Sequence, residues 1–274
     1  MSKRKITFIG GGNMGHALAS GIIGSGYPRE LVAVADQDAQ KLQQIGSELA
    51  VKTYTDNAQA AENADVLVLA VKPQVIAEML KKLTADLGGI GNRLIISMAA
   101  GVTVGRIREL TSGHGRIVRL MPNTPALIGQ GVTGMFASDE VSAEEKNFAD
   151  SVLKAVGKTV WVDKEEDMNT VTAVSGSSPA YFFLFMQYMM ERAVELGLTM
   201  EQARTLVAQA AVGSAQLVSL KPDVSLETLR AQVTSKGGTT HAAITSFEAA
   251  DLKKAVSQAM DACIARAKEM EKLF

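Results

Sequence analysis

The stretch "ITFIGGGNMG" (Ile6–Gly15) decides how the rest of the chain is read. A short apolar run ends in Gly10-x-Gly12-x-x-Gly15, and a helical pattern opens at Asn13. The three glycines answer three demands: a tight turn, backbone approach to a pyrophosphate, and close helix–sheet contact. The helix N-terminus then offers unpaired N–H groups and a positive dipole end to phosphates. The bare spacing also fits a structural turn; the strand before it and the helix after it make it a dinucleotide loop.

Outward from this loop, the first ~160 residues alternate short β-branched runs with helical periods, the signature of a parallel sheet with crossover helices. Strands are expected at Ile6–Ile9, Leu31–Ala35, Val66–Val71, Leu94–Met98, Ile117–Arg119, Val132–Phe136 and Thr159–Val162. Helices are expected at Asn13–Ile23, Ala39–Glu48, Gln74–Leu83, Val104–Leu110 and Ala143–Val156. Runs such as "DVLVLAV" and "RLIISMAA" are apolar on both faces, as strands covered by helices on each side should be.

After Trp161 the pattern changes. "VDKEEDMN" reads as a charged break, with Glu165, Glu166 and Asp167 on a solvated linker face. Beyond it only helical periods follow: Ser178–Leu196, Met200–Leu220, Leu226–Val233, His241–Ala250 and Leu252–Leu273. In the last of these, Val256, Met260, Cys263, Ile264 and Ala267 form one stripe expected to be buried. The chain thus divides into an α/β dinucleotide-binding domain, residues 1–163, and an all-α domain, residues 164–274. The surplus of Ala, Met and Leu in the second half predicts a packed helical interface, a homodimer.

Composition narrows the class. The chain has 274 residues, 47% hydrophobic and 21% charged, with net charge −1. That suffices for a core and lacks the basic excess that nucleic acid or an anionic membrane surface selects. The single cysteine, Cys263, cannot form an internal disulfide and fits a reducing compartment; on its apolar stripe it is expected in the core. The N-terminal apolar stretch is too short for a secretory signal, and "AYFFLFMQYMM" is short of a membrane span. A cytoplasmic protein is expected. His16, His114 and His241 share no spacing with acidic or cysteine partners, so no metal site is expected.

Several strand ends carry candidate site residues. Asp36, in "VAVADQD", lies about 20 residues past the glycine loop, where a carboxylate bonds ribose hydroxyls and repels a 2′-phosphate. Alternatively, Asp36 or Asp38 caps the next helix. "LAVKPQ" places Lys72 at a strand end, with Pro73 set to start a helix. "SMAAG" leaves room for a flat ring, and "MPNTPA" ends another strand; together the three suggest the wall of one pocket. Late in the chain, "VTSKGGTTHAAI" (Val233–Ile244) fits two uses. It is either a Gly-Gly turn with Thr239 as the cap of the next helix, or an anion site built from converging N–H groups.

The motifs "FIGGGNMG", "AVKPQ", "MAAGV", "MPNTPA", "AVSGSSPAYFF" and "TSKGGTTHAAI", in this order over nearly the whole chain, resemble the pyrroline-5-carboxylate reductase family. The resemblance implies an NAD(P)H-dependent reductase with an N-terminal Rossmann domain. It also implies a helical C-terminal domain that interlocks with a partner subunit, often within a ring of dimers. It puts the cofactor loop on Ile9, Gly10, Gly11, Gly12, Asn13 and Met14. The adenosine side falls near Asp36 and on Asn57. The nicotinamide wall falls on Ala70, Val71, Lys72 and Pro73, and on Ala99, Ala100 and Gly101. The substrate loop runs from Ser235 to Thr240, where Lys236 replaces the family's usual proline.

The implied substrate is a five-membered cyclic imine carrying a carboxylate, reduced to proline with NADPH or NADH. Ser235, Gly237, Gly238 and Thr239 would cradle the carboxylate, and the Thr240 hydroxyl would serve the imine nitrogen. Gln232 would reach the partner subunit's cofactor. Ser175 and Gly176 would shape the pocket floor and contact substrate, and Met186, Met189 and Met190 would pack. Two alternatives stay open: a β-hydroxyacid dehydrogenase relative, disfavoured because "SSPAYFFLFMQYMMERA" has no lysine, and a dinucleotide-binding protein without turnover.

Overall fold

In the computed structural model, which describes residues 3–274, the glycine loop joins β1 (Ile6–Ile9) to α1 (Asn13–Gly24). Three further β–α units follow: β2 (Val32–Ala35) and α2 (Ala39–Leu49), β3 (Lys52–Tyr54) and α3 (Asn57–Ala61), and β4 (Val66–Leu69) and α4 (Pro73–Asp86). Then come β5 (Leu94–Ser97), α5 (Val104–Leu110), β6 (Ile117–Met121), β7 (Gly131–Ala137), α6 (Ala143–Leu153) and β8 (Gly157–Trp161). The sheet order is β3-β2-β1-β4-β5-β6-β7-β8. The reversal of direction along the sheet falls between β1 and β4, and ligands bind outside the strands' carboxyl ends at such a point.

Two features depart from the sequence reading. The sheet is not wholly parallel: β7 runs antiparallel to β6, and β8 follows β7 in parallel. The connection from Met121 to Gly131 holds only a 3₁₀ turn, Thr124–Ile128, too short for the crossover a parallel pair needs. In addition, β3 and α3 are short elements that the hydrophobic pattern does not mark. The central strands β1, β4 and β5 are buried along their whole length, and helices on both faces complete two apolar clusters.

The charged break also contains structure. Asp167–Val171 forms a helix, α7, which runs through a π-helical turn at Thr172–Gly176 into α8 (Ser178–Glu195). The remaining helices are α9 (Met200–Leu220), α10 (Leu226–Gln232), α11 (Thr239–Ala249) and α12 (Leu252–Leu273). Thr199 and Gln202 form a reciprocal capping box that starts α9.

Packing divides the chain into two compact units. One holds the described residues through Ser177 together with Ala262–Phe274; the other is Ser178–Asp261. The α12 stripe is not a core within one chain: Val256 is exposed, and Met260, Cys263, Ile264 and Ala267 are half-buried. In the second unit, among the described residues, only Pro179, Ala203 and Val207 are buried. Phe182 is 66% exposed and Leu220 79%. Met189 is exposed as well, so its expected packing is not made inside the chain. A helical unit with so little interior of its own needs a partner to cover it. No helix among the described residues is long and apolar enough to cross a membrane.

Candidate active site

At the carboxyl ends of β1, β2 and β4 lies a cleft of about 540 Å³, lined by Gly10, Gly12, Asp36, Asn57, Ala70, Val71 and Lys72. The glycines there are chemically distinct. Gly10 has φ +110°, and a Cβ on it would come within 2.7 Å of the Ala70 carbonyl oxygen. A Cβ on Gly15 would meet the Gly10 carbonyl oxygen at 2.5 Å. Gly12 has no atom within 4 Å of its Cβ position, so it presents open backbone. Gly12 is also the N-cap of α1, without a side-chain cap, so the first amides of that helix remain for a ligand. This donor set fits a dinucleotide pyrophosphate. Ile9 and Gly11 are buried beneath the loop, while Asn13 is exposed and Met14 half-buried at the start of α1. Pro73 is the first residue of α4, with Lys72 as its N-cap.

Asp36 ends β2 with its carboxylate occupied. Oδ2 accepts the Gly11 amide at 2.7 Å, Oδ1 accepts the Asp38 amide at 3.0 Å, and the Lys41 ammonium lies at 3.0 Å. Burial alone would push this carboxyl up, but the Asp38 and Gly11 amides and the Lys41 ammonium outweigh it and hold it below its ordinary range. Asp36 does not cap α2. Asp38 does, accepting from Gln40 and Lys41 amides, which settles that choice between the two residues. Asn57 begins α3 behind its own cap, Asp56. Lys41 and Lys82 also line the cleft and carry no sequence signal apart from their place on the helices that face it.

The three strand ends do not share one cavity. Ala99, Ala100, Gly101 and Met121 line a separate cavity of about 30 Å³ with Asn169, Ala267 and Met270. Gly101 has φ +75°, and a Cβ on it would lie 2.7 Å from Met270 Cβ, so the last helix seats directly on this turn. Beside it, the buried Arg119 guanidinium pairs with Glu165 at 2.8 Å and Glu271 at 3.0 Å. Glu165 Oε1 also accepts the Val104 amide at 2.7 Å. Glu165 is therefore no solvated linker residue. The charge run conceals one carboxylate whose partners, Arg119 and the start of α5, are remote in sequence.

Asn123 ties the "MPNTPA" segment to the π-helical turn: its Nδ2 donates to the Ser175 carbonyl at 3.1 Å, and its Oδ1 accepts the Val132 amide at 2.9 Å. Ser175 Oγ donates to the Val171 carbonyl, and a Cβ on Gly176 would strike Met121 Cε at 2.5 Å. Cys263 is half-buried, its thiol donating to Ser177 Oγ at 3.4 Å.

In the helical unit, Gln232 ends α10 and is exposed. The turn that follows is closed by the Gly238 amide donating to the Ser235 carbonyl at 3.0 Å, with φ +73° at Gly237. That places Lys236 second and glycine third in a type II-like turn. A Cβ on Gly238 would meet Ser235 Oγ at 2.6 Å. Helix α11 starts at Thr239 with Gly238 as its N-cap and no side-chain cap, so Thr239 is not the cap. The first amides of α11 and the adjacent Thr240 thus form a donor set suited to a carboxylate.

Comparison with known proteins finds one family model in each half of the chain. The pyrroline-5-carboxylate reductase dimerisation family model matches residues 165–270, and a model of NADP oxidoreductases, coenzyme F420-dependent, matches residues 5–101. A pyrroline-5-carboxylate reductase of Vibrio alginolyticus is 46% identical over 100% of both chains, and one of Pseudomonas aeruginosa is 41% identical over 98% of both. The structure of a pyrroline-5-carboxylate reductase from Coxiella burnetii superposes with TM-score 0.92 at 41% identity, covering 98% of this chain and 99% of that one. The Plasmodium falciparum pyrroline carboxylate reductase, with NADP bound, superposes with TM-score 0.86 at 29% identity, covering 99% of each. With its glycine loop and helical unit in the same order, and relatives matched from end to end, the chain belongs to the pyrroline-5-carboxylate reductase family.

Proposed function

We infer that the chain reduces 1-pyrroline-5-carboxylate to L-proline, with NADPH or NADH as the hydride donor. The observation that carries this reading is the pairing, in one chain of this family, of an open glycine cleft with an uncapped Ser-Lys-Gly-Gly-Thr-Thr helix start. A bound nicotinamide supplies the hydride for the imine carbon. The protein's share is to orient the reactants and arrange charge around them. Amides at the start of α1 hold the pyrophosphate, and Asp36 and Asn57 face the adenosine side. Ala70–Pro73 and Ala99–Gly101 wall the nicotinamide. Ser235, Gly237, Gly238 and Thr239 take the substrate carboxylate. The Thr240 hydroxyl steadies the iminium nitrogen and then the amine, while Ser175 and Gly176 shape the floor and Gln232 reaches the cofactor of the partner subunit.

Residues 1–163 and 164–274 are the functional division within this proposal: cofactor binding, then substrate binding and dimerisation. The dimers assemble further into a ring, in the cytoplasm. The test is to mix the protein with the imine and NADPH or NADH and follow the loss of reduced-cofactor absorbance. Oxidation dependent on the imine is expected. No oxidation with either cofactor, together with consumption of a 3-hydroxyacid, would replace this reading by the hydroxyacid dehydrogenase one.

A further inference from the structure

We propose that Arg119 is a positioning residue for the nicotinamide end of the cofactor site, acting through Glu271 and the last turns of α12. The inference rests on the reading of Ala99–Gly101 as the nicotinamide wall.

Arg119 lies on β6 and is 5% exposed. Its two terminal nitrogens reach different carboxylates: Nη1 donates to Glu165 at 2.8 Å and Nη2 to Glu271 at 3.0 Å. The second Glu271 oxygen accepts from Nδ2 of the buried Asn169 at 3.2 Å. One cation thus holds two carboxylates that would otherwise repel each other. Losing Arg119 would leave both carboxylates without their counter-charge, whereas losing one carboxylate leaves Arg119 paired with the other.

This clamp has a mechanical effect. Glu271 follows Met270, and Met270 covers Gly101 so closely that no side chain fits there. A second anchor lies next to it: Arg106 Nε donates to the Phe274 carbonyl at 2.7 Å, and Phe274 packs against the apolar cluster that contains Ala99 and Val102. Glu165 meanwhile holds the Val104 amide at the start of α5, downstream of the same turn. The segment from Ala99 to Val104 is therefore fixed by Met270 on one side and Glu165 on the other, with Arg119 joining both restraints. Among the described residues, no hydrogen bond or ion pair of Arg119, Glu165, Glu271 or Arg106 reaches Gly10–Gly12 or Asp36, so the effect is expected at one end of a bound dinucleotide.

The test compares two ligands on the full-length protein. NADPH contains the nicotinamide; 2′-phospho-ADP-ribose lacks it and keeps the rest. Equilibrium binding of both is measured for the natural protein, Glu271→Gln and Arg119→Lys, with the dimer checked by light scattering. The expected result is a loss of about tenfold in NADPH affinity, with 2′-phospho-ADP-ribose affinity within twofold of the natural protein. Glu271→Gln keeps an acceptor for Arg119 and guards against a variant that fails to fold. Equal weakening of both ligands, or of neither, would overturn the positioning role. If the natural protein binds NADPH no better than 2′-phospho-ADP-ribose, the wall assignment itself fails, and the inference falls with it.

Discussion

The Asp36 carboxylate accepts the Gly11 amide at 2.7 Å, joining the end of β2 directly to the glycine loop. The same carboxylate holds Lys41, and its depressed pKa keeps it charged throughout the neutral range. Because the folded-state pKa is lowered, its contribution to stability is present above the ordinary carboxylate value. That contribution is lost only as pH falls through the lowered one. Asp36→Ser retains an acceptor for Gly11, removes the charge that opposes a 2′-phosphate, and frees Lys41. The kcat/KM ratio of NADPH to NADH is expected to rise roughly tenfold. An unchanged ratio across pH 6–8 would exclude a role for Asp36 in cofactor choice.

Thr240 sits one residue inside α11, half-buried, beside the uncapped helix start. Thr240→Ala is expected to lower kcat roughly a hundredfold. Thr240→Ser, which keeps the hydroxyl, should recover most of that loss. NADPH binding, measured by fluorescence, should not change in either variant. Full turnover in the alanine variant would remove Thr240 from the chemistry.

Lys236 occupies the second position of the turn closed by Ser235 and Gly238, where a proline ring pre-sets the required φ. Gly237 supplies the positive φ at the third position, so the turn forms without proline. Lys236→Pro is expected to stabilise the protein by about 0.4–1 kcal/mol, through the unfolded state. The melting temperature should rise by about 1–3 °C. A fall would mean that the Lys236 backbone does not adopt the conformation the turn implies.

The helical unit buries few of its own apolar side chains, and each one covered by a partner contributes about 1.5–3 kcal/mol. Its melting temperature should therefore depend on protein concentration, rising by roughly 2–5 °C over a hundredfold range. Calorimetry at two concentrations measures this directly. Identical midpoints with a monomeric mass would show that the apolar face is stable uncovered.

What the sequence revealed depended on whether the physical cause was local. The glycine loop, β4 and β5 were legible because a spacing rule or an unbroken apolar run marks each of them. Strand β3 was not: three residues at the sheet edge, half in water, need no apolar pattern. The reversal at β7 left a signal in the short connection around Pro125 and Gly129, which a connection-length argument finds and hydropathy does not. Asp36 and Asp38 were indistinguishable as types, and only geometry separates the capping residue from the one facing the loop. Glu165 was misread because its partner, Arg119, is 46 residues away and charge runs ordinarily face solvent.

The contact between Cys263 and Ser177 marks where the chain leaves the α/β unit and where it returns. The helical unit is therefore an insertion, looped out between two adjacent points of a host that is finished only by α12. Arg106 and Phe274 are 168 residues apart in sequence, and Arg119 and Glu271 are 152 apart. A nascent host domain thus stays open along one side until every inserted helix has been made. The wall around Gly101 is among the last parts to close.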